Sequence, residues 1–366
     1  MSTILCVAGA RPNFMKIAPV INALTGAGFL APLVHTGQHY DEAMSAGFFN
    51  DLGIPEPAVN LEVGSGSHAK QTAEIMTRFE PVLENIKPQA ILVVGDVNST
   101  IACALVAAKL GVGVFHVEAG LRSFDRRMPE EVNRVLTDQI SDLLFVTERS
   151  GLDNLAREGI AAEKCHFVGN VMIDSLLANR CRAVPAAATL AKAKASFSAD
   201  HYAVLTLHRP SNVDDPAVLG PLLTAIGEIA RQMPVIFPIH PRTQNNIKQA
   251  GLSALIETPN IALIPPVGYL EMLGLTAEAK LVLTDSGGLQ EESTALGVPC
   301  FTLRENTERP ITIEEGTNSL IGPDPERLKN AFADLLATGG KAGRTPELWD
   351  GQAAIRIATH VSAWCV

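Results

Sequence analysis

The chain reads as an α/β protein of two similar domains, each an open, parallel sheet layered with helices. Three observations predict this. Short apolar runs of 4–7 residues alternate with segments of helical period from one end to the other, the signature of an α/β layer. The runs are continuously apolar rather than alternating, as strands covered on both faces are. The length of 366 residues fits two domains at roughly 100–200 residues each.

In the first half the strands are expected at Ile4–Ala8, Pro32–Thr36, Ala90–Val94, Gly113–Val117, Leu143–Thr147 and Cys165–Val168. Helical period appears between them at Ala18–Ala27, Ala69–Ile86, Thr100–Leu110, Glu131–Ser141 and Gly151–Glu158. The second half repeats the scheme with strands at Tyr202–Leu207, Val235–Ile239, Ile261–Ile264, Leu281–Thr284 and Cys300–Leu303. Its helices are expected near Ala217–Gln232, Gln244–Ala250, Tyr269–Ala277 and Leu289–Leu296. A hinge near Gly169-Asn170 divides the chain into residues 1–170 and 171–352, with Val184–Ser198 a helix plus connection beyond it. A short amphipathic helix, about 353–366, is expected to return to the first domain. Such a pair predicts a cleft, with ligands outside the carboxyl ends of the strands.

Composition narrows the function. With 47% hydrophobic and 19% charged residues the chain is not a disordered protein. A net charge of −10 argues against nucleic acid as a partner. No run approaches the roughly 18 apolar residues of a membrane span. Met1-Ser2-Thr3 enters a strand with no basic segment or cleavage site before it. The six cysteines are scattered, with no C-x-x-C pair; several lie inside apolar runs and read as small buried hydrophobes of a reducing, cytoplasmic compartment.

Chemistry-bearing residues gather where strands end. Gly9-Ala10-Arg11-Pro12 follows the first strand and brings Arg11 and Lys16 to a helix start. Cations there oppose the helix dipole, which favours an anionic ligand over a merely solvated pair. Asp96 ends the strand before Asn98 and Ser99, either of which can cap the next helix and free Asp96 for chemistry. Glu118 ends another buried strand, where a carboxylate is costly unless paired, with Arg122 as one candidate partner, or used. Pro129-Glu130-Glu131 is a normal helix start, yet Glu130 adds a third carboxylate to the same edge.

In the second half, His208-Arg209 and His240-Pro241-Arg242 both end strands. No metal-ligand spacing accompanies them, so the histidines suit hydrogen bonding or proton transfer. Thr284-Asp285-Ser286-Gly287-Gly288 then opens a helix. Free backbone N–H groups and missing Cβ atoms there suit a phosphate, and Glu292 is spaced to meet a ribose diol. No G-x-G-x-x-G follows a strand, no P-loop is present, and no D-x-D pair occurs.

Taken in order, Gly9-Ala10-Arg11-Pro12, His35-Thr36-Gly37-Gln38-His39, Gly95-Asp96, His116 to Arg122, Pro129 to Arg134, Val168-Gly169-Asn170, His208-Arg209 and Thr284 to Glu292 resemble the non-hydrolysing UDP-N-acetylglucosamine 2-epimerases over essentially the whole length. The resemblance implies two Rossmann-like domains facing across a cleft, in the glycosyltransferase-B manner, and a homodimer. It implies interconversion of UDP-GlcNAc and UDP-ManNAc through a 2-acetamidoglucal, with neither metal nor nicotinamide cofactor. Asp96, Glu118, Glu130 and His208 match catalytic positions. Arg11, Lys16, His240, Ser286, Gly287, Gly288 and Glu292 match positions that contact the nucleotide or sugar.

Val97 and Ser211 stand where many relatives carry Thr and Glu, and Gly37 to Asp41 departs from the version found with a regulatory second site. These departures leave room for a 2,3-diacetamido uronic acid substrate. A hydrolysing epimerase that releases free sugar, a glycosyltransferase and a non-catalytic UDP-sugar sensor are the competing readings.

Overall fold

The computed structural model describes residues 2–37, 52–195 and 201–365. Gln38, His39, Tyr40 and Asp41, and the end of the Val184–Ser198 connection, lie outside the described residues. The chain divides into two compact units, Met1–Ala178 with Glu347–Val366, and Asn179–Pro346.

In the N-terminal unit seven strands form one parallel sheet: β1 (Ile4–Ala8), β2 (Leu33–His35), β3 (Val59–Asn60), β4 (Ala90–Val94), β5 (Gly113–Ala119), β6 (Leu143–Val146) and β7 (Cys165–Phe167). Their order is β3-β2-β1-β4-β5-β6-β7. The chain therefore builds outward from β1 in one direction, then returns and builds outward in the other. Every residue of β1, β4 and β5 is buried, which explains the unbroken apolar runs of β1 and β4; β5 also buries His116 and Glu118. Helices His68–Ile86 and Asn98–Lys109 cover one face through Ile75, Phe79, Leu83, Ala102 and Val106.

The C-terminal unit repeats the plan with β8 (Ala203–Thr206), β9 (Val235–Pro238), β10 (Ile261–Ile264), β11 (Leu281–Thr284), β12 (Cys300–Thr302) and β13 (Asn318–Leu320). All pairings are parallel, in the order β10-β9-β8-β11-β12-β13. Its largest core packs helices Pro216–Ala230 and Pro325–Thr338 on the sheet through Leu222, Ile226, Phe237, Leu328 and Phe332.

The helix Val171–Asn179 is held to the first unit beyond Gly169-Asn170. Asp174 accepts from the Ala353 and Ala354 N–H groups (3.2 and 2.8 Å), capping the helix Ala353–Trp364. Burial pushes the Asp174 carboxyl up to about 6. At the far end of that helix Trp364 meets Phe115 edge-on, with centroids 5.0 Å apart.

Several elements differ from the sequence expectation for local reasons. The first helix starts at Arg11 rather than Ala18 and tolerates Pro12 in its first turn and Pro19 inside; an early proline loses no hydrogen bond the helix would have made. β3 and β13 have two and three residues, too few to show a period. The helix Asn98–Lys109 has Val97 at its N-cap with no side-chain cap, so Asn98 and Ser99 do not do the capping expected of them. Of the cysteines, Cys6, Cys103 and Cys300 are buried, Cys165 and Cys365 are partly covered, and Cys181 is exposed. No described helix is long and apolar enough to cross a membrane.

Candidate active site

Each sheet reverses its strand order at one place, between β1 and β4 in the first unit and between β8 and β11 in the second. Ligands of open parallel sheets gather past the carboxyl ends of the strands at such points. Of the sequence-predicted residues, Asp96, His208, His240 and Ser286 lie in loops that leave these strands or their neighbours, Glu118 lies near the end of β5, and the others lie on helices.

In the N-terminal unit Asn13 holds the turn after β1. Its side-chain oxygen accepts from the Ala10 N–H (3.0 Å) and its amide donates to the Val94 carbonyl (3.1 Å). Lys16, one turn further on, is buried and ion-paired with Glu118. Glu118 takes a φ of 73° where the pairing of β5 with β6 slips between Val117 and Ala119. A side chain held in that left-handed region costs about 1–3 kcal/mol, and the bulge re-aims the carboxylate. Arg122 is not its partner; it pairs with Asp138 and Glu158.

Gly95 has a φ of 66°. A Cβ on it would lie 3.4 Å from the Asn13 amide, the Glu118 carboxylate and the Lys16 ammonium. One corner thus holds Lys16, Glu118 and the turn that presents Asp96.

That turn is fastened from below. His116 Nε2 donates to the Gly95 carbonyl (2.8 Å), Asn133 donates to the Asp96 carbonyl (2.9 Å), and Arg134 ion-pairs with the Asp96 carboxylate. Arg134 is buried while the Asp96 side chain keeps 29% of its surface, so the cation lies beneath an accessible carboxylate. The other nitrogen of His116 meets Asp138 at 2.7 Å, and Asp138 also accepts from the Gly120 N–H and Arg122. Burial alone would raise the Asp138 carboxyl; His116 and Arg122 outweigh it and hold the group below the usual range.

Adjacent glutamates differ. Glu131 is buried and accepts from the Ser123 and Phe124 N–H groups, the Ser123 hydroxyl (2.9 Å each) and Arg134 (2.8 Å). It braces a loop. Glu130 is half-buried at the start of the same helix, and Arg11 is the first residue of the helix after β1.

In the C-terminal unit the loops after β8 and β11 are joined through Asp285. This fully buried carboxylate accepts from the N–H groups of His208 (3.0 Å) and Arg209 (2.9 Å) and the Asn212 amide (3.1 Å). Its other oxygen lies 2.8 Å from His208 Nδ1, and the His208 side chain is 47% exposed. Burial would raise Asp285, yet the imidazole and the backbone N–H groups together hold it below the carboxylate range.

Ser286 then caps the helix Gly287–Leu296 without a side-chain bond to it, which leaves that first turn available to an anion. A Cβ at Gly287 would press to 2.8 Å from the Arg309 guanidinium, and Arg309 itself pairs with Glu291 and Glu308. Glu292, buried on this helix, is pushed up to about 8 by desolvation and the Glu291 charge, opposed by the Tyr269 hydroxyl. His240 is exposed after β9, with Nδ1 accepting from the Arg242 N–H (3.3 Å). No three His, Cys, Asp or Glu side chains cluster as metal ligands among the described residues.

A family model described as UDP-N-acetylglucosamine 2-epimerase matches residues 23–362. The chain belongs to the UDP-N-acetylglucosamine 2-epimerase family. It is 46% identical over 333 residues, 90% of each chain, to the UDP-N-acetylglucosamine 2-epimerase of Methanococcus maripaludis. It is 41% identical over 370 residues, 98% of this chain and 99% of the relative, to the UDP-2,3-diacetamido-2,3-dideoxy-D-glucuronate 2-epimerase of Pseudomonas aeruginosa. The crystal structure of the Methanocaldococcus jannaschii UDP-GlcNAc 2-epimerase in complex with UDP-GlcNAc and UDP matches with a TM-score of 0.90, 41% identity, and 99% and 100% of the two chains covered. Fold and enzyme class follow: two Rossmann-like units of the glycosyltransferase-B-like kind, and an isomerase.

For a 2-epimerase, sequence reasoning left several supports without a role. Asp285 was visible as an acid at a strand end before Ser-Gly-Gly, but its reach to His208 spans 77 positions. Arg134 sits one helical turn past Glu130, and only folding brings it under Asp96. Asp138 carried no local signal at all.

Proposed function

We propose that this chain interconverts UDP-GlcNAc and UDP-ManNAc without hydrolysis, by eliminating UDP to 2-acetamidoglucal and adding it back. The observation that supports the reading is the corner beside the N-terminal strand reversal, where Asp96 follows β4 and Glu118 lies near the end of the adjoining β5, each backed by a buried cation.

The C2 proton of the sugar has no neighbouring carbonyl to stabilise a carbanion, so its removal must be coupled to departure of UDP from C1. As the C1–O bond breaks, C1 gains oxocarbenium character while a base takes the C2 proton, leaving the glycal and UDP. Re-addition with protonation from the other face gives the epimer. This requires proton-transfer groups on two faces of the ring, for which Asp96, Glu118, Glu130 and His208 serve; each contributes about 10²–10⁴-fold. Lys16 keeps Glu118 in place, and Arg134 does so for Asp96.

The departing diphosphate is held by the backbone at Ser286, Gly287 and Gly288, Glu292 takes the ribose, and Arg11, Lys16 and His240 contact the nucleotide or the sugar. UDP is retained rather than lost, which separates this reading from hydrolysis. A cytoplasmic homodimer belongs to the same reading, and sedimentation at a monomer mass would remove the dimer from it.

Turnover of UDP-GlcNAc in D₂O should place deuterium at C2 of both epimers, with no free ManNAc by NMR. Unlabelled sugar without UDP-ManNAc overturns the proposal; free ManNAc with UDP marks the hydrolysing reaction instead. A second reading, epimerisation of a 2,3-diacetamido glucuronic acid nucleotide, is favoured by the nearly full-length match to the Pseudomonas aeruginosa relative. The same time course with that nucleotide alongside UDP-GlcNAc separates the two by relative kcat/KM.

A further inference from the structure

We propose that Asp285 is a positioning residue that pins His208 through Nδ1, so that Nε2 alone exchanges protons with the bound nucleotide sugar. The proposal rests on the reading above, in which His208 is one of the proton-transfer groups.

The geometry leaves the imidazole little choice. One Asp285 oxygen lies 2.8 Å from Nδ1. The other is saturated by the backbone N–H groups of His208 and Arg209 and the side-chain amide of Asn212, at 2.9–3.1 Å. An ionised carboxylate only accepts, so Nδ1 must carry a hydrogen. In the neutral ring Nε2 is then the lone-pair nitrogen, and in the charged ring it is the one that gives its proton away. Nε2 has no hydrogen-bond partner among the described residues, and nearly half of the side chain is open to solvent.

A carboxylate kept only to join the β8 and β11 loops would explain the backbone bonds. It would not explain the ring nitrogen 2.8 Å from the oxygen that takes only a 3.2 Å bond from the His208 N–H. Asp285 also directly precedes Ser286 and Gly287. One residue therefore sets both the tautomer of the histidine and the start of the helix turn proposed to hold the diphosphate. Proton donor and leaving group are kept in register by a single fully buried side chain.

The test is Asp285→Asn, which keeps the shape and an accepting oxygen but offers N–H to Nδ1 and so favours the other tautomer. The expected result is a kcat lower by about 10²–10⁴-fold with KM for UDP-GlcNAc roughly unchanged. A readout independent of turnover is ¹⁵N NMR of histidine-labelled protein, with the His208 signals assigned by their loss in His208→Gln. The wild type should show Nδ1 protonated and Nε2 bare at high pH, and Asp285→Asn the reverse.

A wild-type His208 protonated at Nε2 overturns the pinning, whether or not the variant folds. A reversed tautomer with unchanged kcat overturns its catalytic consequence. A parallel fall of kcat, nucleotide affinity and melting temperature assigns Asp285 a merely structural role. Full activity in His208→Gln overturns the reading of His208 itself, and the spectrum still judges the pinning separately.

Discussion

Both units place a histidine against a buried aspartate near the carboxyl ends of their central strands, yet the two pairs do opposite things. In the N-terminal unit His116 has no exposed surface: Nδ1 meets Asp138 and Nε2 is spent on the Gly95 carbonyl. In the C-terminal unit His208 gives only Nδ1 to Asp285 and keeps Nε2 open. A ring with both nitrogens committed braces a turn, while a ring with one free nitrogen can move a proton. Burial of the aspartate is common to both; what separates them is the second nitrogen.

The largest test of that contrast is to remove each ring in turn. His208→Gln should lower kcat by about 10²–10⁴-fold with the smaller change in melting temperature, because Asp285 keeps the His208 and Arg209 N–H groups and the Asn212 amide as donors. His116→Gln should do the reverse. It leaves buried polar groups short of a partner, at a cost of about 1–3 kcal/mol, or about 2–4 °C in melting temperature per kcal/mol. Its turnover should fall only as far as the Asp96 turn loosens. Equal kinetic losses in the two variants would erase the distinction.

The adjacent glutamates extend the comparison within one helix. Glu131→Gln takes the charge from a carboxylate that four donors share and should cost about 1–3 kcal/mol, read in a urea titration. Glu130→Gln should leave the titration midpoint in place and depress kcat. If the two effects exchange, the assignment of Glu130 to the chemistry is wrong.

The mildest effect is a pH dependence of nucleotide binding in the C-terminal unit. With its carboxyl pushed up to about 8, Glu292 is mostly protonated at pH 7. A ribose diol donates best to the carboxylate, so binding releases a proton. Affinity for UDP should therefore rise as pH climbs from 7 toward 8, by at most about tenfold per unit, and level off above it. Calorimetry with Glu292→Gln should give a flat profile across the same range; a slope retained in the variant would assign the proton elsewhere.

Much of the fold was open to inspection in the amino-acid order. β1, β4 and β11 fall at the expected residues because central parallel strands must be apolar on both faces, and β10, though it lies at the sheet edge, carries the same unbroken apolar run. β3 and β13 escaped notice because edge strands of two or three residues need no such run. For the site, every residue assigned to chemistry stands at a strand end or a helix start, where glycine, proline and acidic residues leave marks a reader can follow. Asp285 and Glu118 also stood in the open, but what each side chain touches was not readable. Arg122 looked like the natural companion of Glu118, four positions away, and instead serves Asp138 and Glu158.

Local order thus determined the periodicities, the turns and the types of side chain at the strand ends, since these depend on backbone stereochemistry and on which surfaces avoid water. Only the tertiary structure decided the partners. Lys16 reaches Glu118 across 102 positions and His208 reaches Asp285 across 77, because parallel strands place their carboxyl ends side by side whatever the length of chain between them. A buried charge must find an opposite charge or a donor at that edge. Which one it finds is a matter of packing, and packing is where a supporting residue becomes distinct from one left free to react.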